Sequence, residues 1–201
     1  MINFPDEKTV TDAAAHCKDL FASSYLHLAL CIPGILFPEK SPVQIDYANA
    51  LTTFKINTLG PMLLMKHFSP FLPKKATEVD SSLDGLPPSA VFAMMSARVG
   101  SITDNSAGGW YSYRSSKAAV NQIAKSLDIY LKNNSGEKAM AVSLHPGTVK
   151  TSLSKDFWES TPKGKLFTPE YSAERLVEVV KGLGQEDRGK CWDWEGKEIP
   201  P

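Results

Sequence analysis

Four short apolar runs, at 25–32, 90–95, 139–144 and 190–194, are set between longer stretches with helical periodicity. The first three are nearly unbroken, which is how a strand buried on both faces of a sheet reads. Helices are expected at 9–22, 46–72, 112–133 and 169–182, so the order is helix then strand, repeated four times. Parallel neighbours need a crossover of a dozen or more residues, and each helical stretch is long enough to supply one. The alternation therefore predicts an α/β chain with a doubly wound parallel sheet.

Each helix carries its own signals. Thr9 or Thr11 is a candidate cap for the first, with Ala13, Ala14, Cys17, Leu20 and Phe21 inward. In the second, Pro61 has no N–H to give to the carbonyl of Asn57, so a kink is expected near Ile56–Asn57. In the third, Ala118, Ala119, Ile123, Ala124, Leu127 and Tyr130 are the inward set. Pro169 suits the first turn of the fourth. Residues 73–89 read as a polar surface loop, and 152–167 as a segment covering a substrate pocket. His27, the one polar residue of the first run, reads as a satisfied or edge histidine.

Composition narrows the function classes. The chain has 201 residues, enough for one domain over its whole length. Its 22 basic and 22 acidic residues cancel and are dispersed, so no nucleic acid and no anionic membrane surface is implied as partner. No apolar run approaches the ~20 residues of a membrane span, and the first residues lack the basic and apolar regions of a secretion signal. Cys17, Cys31 and Cys191 are too scattered for a disulfide framework or a zinc site. A reduced, cytoplasmic location is the expectation.

Chemistry concentrates around Tyr113 and Lys117. Four apart on a helix, they share a face one turn apart. An ammonium beside a phenol favours phenolate, which would bring the tyrosine toward the working range of an acid/base catalyst. Tyr-x-x-x-Lys alone is more often an exposed packing pair. Here it follows Ser96, at the carboxyl end of a predicted strand, where open α/β sheets place their ligands. Asn57 stands in Ile56-Asn57-Thr58-Leu59-Gly60, and Pro146-Gly147-x-Val149-x-Thr151 follows the third apolar run.

Together these motifs resemble the short-chain dehydrogenase/reductase family from about residue 9 onward. Ser96 to Ile102, Gly108 to Arg114 and the ending Gly189 to Trp194 are similar to its C-factor-like branch. The resemblance implies a Rossmann-like fold and NADP or NAD as cofactor. The implied activity is oxidoreduction between an alcohol and a ketone or aldehyde on a small molecule. Tyr113 would pass the proton, and Lys117 would lower its pKa and bind the nicotinamide ribose. Ser96 would hold the substrate carbonyl, and Asn57 a water on the proton path. Pro146, Gly147, Val149 and Thr151 would lie along the nicotinamide. Trp110, Tyr111, Phe157 and Trp158 are candidates to line the substrate pocket, with ordinary packing as the other reading. A homodimer through the helices at 46–72 and 112–133 is a further implication.

The sequence also departs from the family pattern. Family members begin with a strand and a glycine-rich turn whose amides hold the pyrophosphate; here the first glycine is Gly34. Ile32-Pro33-Gly34 stands where the family has Asn-Ala-Gly. The expectation is an N-terminally truncated, incomplete version of the fold. It would keep four parallel strands, expose strand 25–32 as an edge, and bind its cofactor weakly. The alternative reading is an impaired dehydrogenase fold acting as an interaction or signalling protein.

Overall fold

The computed structural model describes residues 6–79 and 85–201. The strands are β1 (Leu28–Cys31), β2 (Ala90–Met95), β3 (Ala139–His145), β4 (Thr148–Val149), β5 (Leu166–Phe167), β6 (Cys191–Asp193) and β7 (Glu198–Ile199). The α-helices are α1 (Glu7–Leu20), α2 (Tyr47–Phe54), α3 (Gly60–Phe68), α4 (Tyr111–Asn134) and α5 (Pro169–Gly182). The main sheet has the order β1-β2-β3-β6-β7. Its first four strands are parallel, as expected, and β7 pairs antiparallel with β6. The polar tail gave no sign of β7, a two-residue strand. It is held by Ile199 packed into the core and by Thr103, whose amide and hydroxyl both donate to the Pro201 carbonyl.

β2 and β3 form the centre, in register from Ala90 opposite Ala139 to Met95 opposite Leu144. Alternate side chains leave on opposite faces. Phe92, Met94 and Ala141 pack with Val120, Ala124, Leu127 and Leu131 of α4. Val91, Ala93, Met140, Val142 and Leu144 pack with Leu176, Val180, Leu183 and Trp194. The sheet is thus covered on both faces at its centre. β1 lies at one edge, with Leu30 and the following Ile32 exposed. An apolar groove of about 460 Å3 runs along one face of it, lined by Ala29, Cys31, Leu64, Phe68 and Phe92.

Several local expectations are corrected. Asp6, not Thr9 or Thr11, caps α1 by accepting the Lys8 amide. α1 buries Val10 and Ala14, while Leu20 and Phe21 are exposed beyond the reach of α3, its main neighbour. Tyr130 is exposed; the inward line of α4 passes through Leu127, Asp128 and Leu131 instead. The kink takes the form of a π-helical segment, Lys55–Leu59, between α2 and α3, which re-routes the backbone around the donor that Pro61 lacks. Of the loop at 73–89, residues 80–84 lie outside the described residues. No described helix is long and apolar enough to cross a membrane.

Candidate active site

The carboxyl ends of β1, β2 and β3 open into one cleft of about 890 Å3. Ser96 follows β2, and its amide continues the sheet by donating to the Leu144 carbonyl. Tyr113 and Lys117 come from the first two turns of α4, and Pro146 to Thr151 from the turn after β3. Among the residues singled out in the sequence, Ser96, Tyr113, Lys117, Pro146, Gly147, Val149 and Thr151 all line this cleft. Asn57 does not.

Lys117 is buried to 1% exposure. Its ammonium donates to the carbonyls of Met95 (2.8 Å) and Pro33 (3.4 Å) and lies 5.8 Å from the centre of the Tyr113 ring. Ile32-Pro33-Gly34 thus departs from the family pattern in side chains while keeping a carbonyl on Lys117, since proline removes a donor and not an acceptor. A Cβ on Gly34 would stand in ordinary contact with the lysine nitrogen, at 3.8 Å.

The electrostatic expectation for the pair is reversed. Burial pushes the Tyr113 phenol up to about 12 and the Lys117 ammonium down to about 8. Both shifts disfavour the charged form, because taking a charge out of water outweighs the pairing across this distance. Burial thus favours the neutral phenol over the phenolate.

Ser96 is likewise committed. Its hydroxyl donates to the Lys117 carbonyl at 3.1 Å. A serine hydroxyl has one hydrogen to give, so donating to a substrate carbonyl requires a rotation away from α4.

The Asn57 side chain clamps two neighbouring segments together. The fully buried carboxamide accepts the Ile35 amide (2.9 Å) and donates to the Ile35 carbonyl (2.9 Å) and the Ser116 hydroxyl (3.1 Å). Ser116 in turn donates to the Tyr113 carbonyl at 2.8 Å. The π segment thereby fixes both the loop after β1 and the first turn of α4.

Of the four aromatic candidates, Trp110 and Phe157 line the cleft, packed at 4.8 Å between ring centres, while Tyr111 and Trp158 are not among its lining residues. The Trp158 indole donates to Ser154 instead. Leu153, Phe157 and Thr161 of segment 152–167 are among the residues lining the cleft. Gly147, at φ +77°, sits where a Cβ would fall 2.5 Å from the Phe167 ring, so the turn requires glycine.

Sequence reasoning missed two contributors. His145 ends β3 at the cleft wall, with Nδ1 buried and without a partner among the described residues. Burial, aided by the Arg98 charge and opposed by Asp193, holds it down at about 4. The other is Glu39, which is 3% exposed in the proline-bearing loop after β1 and bonded to Ser112. Its partner lies 73 residues away, and no local pattern announces such a pairing.

The chain belongs to the short-chain dehydrogenase/reductase family. It is 33% identical over 157 residues to C-signal of Myxococcus xanthus, a match covering 78% of this chain and 81% of that protein. It is also 33% identical over 165 residues to 1-hydroxy-2-glutathionyl-2-methyl-3-butene dehydrogenase of Rhodococcus sp. (strain AD45), covering 82% of this chain but 64% of the relative. Among solved structures, carbonyl reductase Sniffer of D. melanogaster superposes with a TM-score of 0.83 at 27% identity. The NADPH-bound carbonyl reductase from chicken fatty liver gives 0.81 at 26%. Both cover all of this chain, which spans 76% and 75% of theirs. No family model matches the chain.

Proposed function

We propose that the protein is an NADP(H)-dependent oxidoreductase interconverting a small alcohol and its ketone or aldehyde, with Ser96, Tyr113 and Lys117 as its reacting-atom contacts. One observation carries the reading: these three side chains and the Pro146 to Thr151 turn meet at the carboxyl ends of β2 and β3 in one largely apolar cleft. The relatives named as dehydrogenases and oxidoreductases favour it over an interaction role. The NADPH-bound neighbour favours NADP(H) over NAD(H).

The residues present fit the nicotinamide end of such a cofactor. The lysine ammonium has one N–H beyond its two carbonyl partners with which to meet a ribose hydroxyl. The far end is less well provided, because the sequence holds no Gly-x-x-x-Gly-x-Gly turn to bind a pyrophosphate. When bound, the reduced nicotinamide supplies a hydride to the carbonyl carbon. Tyr113 gives its phenolic proton to the carbonyl oxygen as negative charge builds there, and Ser96 donates a second hydrogen bond to the same atom. Lys117 then steadies the tyrosinate that remains. Trp110, Leu153 and Phe157 exclude water and select an apolar substituent.

Titrating NADPH and NADH against the 201-residue chain by nicotinamide fluorescence, then following NADPH oxidation with aldehydes and ketones, tests this. Binding weaker than micromolar is expected, with NADPH ahead of NADH. Tyr113→Phe should cut turnover by about 10²–10⁴-fold, the share a positioned general acid supplies. Turnover surviving that substitution undiminished would remove Tyr113 from the mechanism.

A further inference from the structure

We infer that Glu39 is a positioning residue that sets the place of the Tyr113 phenol by capping α4 from outside the helix. The inference rests on the reading of Tyr113 as the proton donor, and concerns how the fold holds it.

The entry to α4 is unusual. Gly108, Gly109 and Trp110 are successive residues with positive φ, and Trp110, at φ 49° and ψ 45°, is the one non-glycine among the described residues with a positive φ. A bulky side chain in this region is strained. Trp110 stands at the N-cap position, where serine, threonine, aspartate or asparagine would usually accept one of the first free amides; its side chain caps nothing.

Glu39 supplies what is missing. One carboxylate oxygen accepts the Ser112 amide at 2.8 Å and the other accepts the Ser112 hydroxyl at 2.5 Å. Its backbone carbonyl accepts the Trp110 amide at 2.6 Å. A single residue therefore holds both Trp110 in its strained conformation and Ser112, the residue immediately before Tyr113. A carboxylate is also the charge favoured at a helix N-terminus. Burying it is costly unless its oxygens are bonded, and each oxygen here meets a donor from the same residue.

The consequence reaches the phenol by two routes. The Trp110 ring packs edge-on against Tyr113 at 6.2 Å between centres, so Trp110 cannot relax without releasing one wall of the tyrosine. The first turn also carries Tyr113 in its backbone. The loop bearing Glu39 is the one whose Pro33 carbonyl holds Lys117 and whose Ile35 is clamped by Asn57. One loop thus sets both members of the Tyr113–Lys117 pair.

The test is a fluorine NMR spectrum of the protein labelled with 3-fluorotyrosine, the Tyr113 signal being the one that Tyr113→Phe removes. Glu39→Ala should move or broaden that signal, together with that of Tyr111 in the same first turn, and leave those of the other four tyrosines in place. Glu39→Gln keeps the volume and one accepting oxygen, so it should give a smaller change and covers the case in which the alanine variant fails to fold. Where NADPH-dependent carbonyl reduction is measurable, kcat should fall by about 10-fold or more in Glu39→Ala with KM nearly unchanged, and be partly restored in Glu39→Gln. An unaltered Tyr113 signal in both folded variants would overturn the inference. Absence of turnover in the unsubstituted protein would count against the proposed reaction and leave the NMR result to decide the role of Glu39.

Discussion

His145 shows at the residue scale how a buried polar atom becomes a pH liability. Its ring packs edge-on against Trp194, 5.4 Å between centres, with Nδ1 unpartnered among the described residues. The folded state holds its pKa at about 4, against 6.5 for a free imidazole. Between those values the unfolded chain binds the proton and the folded chain does not, so unfolding takes up protons and stability rises with pH. The contribution is complete above pH 6.5 and is lost as the pH falls through 4. At 1.36 kcal/mol per unit it is worth at most about 3 kcal/mol, less for the partial exposure of the ring. Urea unfolding at a series of pH values should show this decline, and His145→Phe, which keeps an aromatic ring against Trp194, should flatten it. An identical decline in that variant would assign the acid sensitivity elsewhere. The same physics explains why Tyr113 and Lys117 did not behave as their spacing suggested. Four residues apart announces a shared helix face. It does not announce burial, and burial decides the sign of both shifts.

At the scale of elements, what could be read in the sequence was what repeats along it. β2 and α5 begin and end where the apolar run 90–95 and the Pro169 signal placed them, and four parallel strands follow from the alternation. Features made by one element meeting another were not legible. Gly100 is such a case. A Cβ there would lie 2.8 Å from the Lys117 carbonyl carbon and 2.9 Å from the Ala118 nitrogen, backbone atoms of α4 with no freedom to yield. Gly100→Ala should therefore push α4 away from the strand end that carries Ser96. The expected cost is about 1–3 kcal/mol in stability, as for other overpacked sites, together with a lower kcat. Gly108→Ala is the control: its Cβ meets nothing within 4 Å, and only the positive φ of 63° resists it. Thermal unfolding of the two variants separates crowding from backbone strain, and equal losses would argue against the close approach. Asp128 makes the same point from the side of charge. It lies on the inward face of α4 and takes Arg188 and the Ala141 amide, joining α4, β3 and the approach to β6. Removing it would take the counter-charge from an Arg188 side chain that is only 11% exposed, leaving it the carbonyls of Gly136 and Ala139, so Asp128→Ala should cost about 3 kcal/mol by denaturant unfolding, the low end for a broken buried pair.

For the whole molecule the governing feature is that the described sheet ends asymmetrically. On the far side from β1 it closes with β7, a short strand whose Ile199 is buried. On the near side β1 offers an unpaired edge, and its side chains are apolar on both faces. Leu28 lines the large cleft, Ala29 and Cys31 line the smaller groove, and Leu30 and Ile32 border both. Proteins blunt edge strands with charge, proline or a bulge, because a free row of amides and carbonyls beside apolar side chains pairs with other chains. Pro33 is placed to do this, but it follows the strand and leaves β1 itself unguarded. The 201-residue chain should therefore self-associate as its concentration rises, which light scattering behind size exclusion would record as a climbing mass. Ile32→Lys puts a charge at the end of that edge on a residue already 59% exposed. It should lower the association without loss of folding stability, since little buried area is given up. Comparing the two proteins at matched concentrations decides the matter. If the lysine variant associates as strongly as its parent while unfolding at the same temperature, the contact lies on another surface and the β1 edge is protected in solution by a means other than charge.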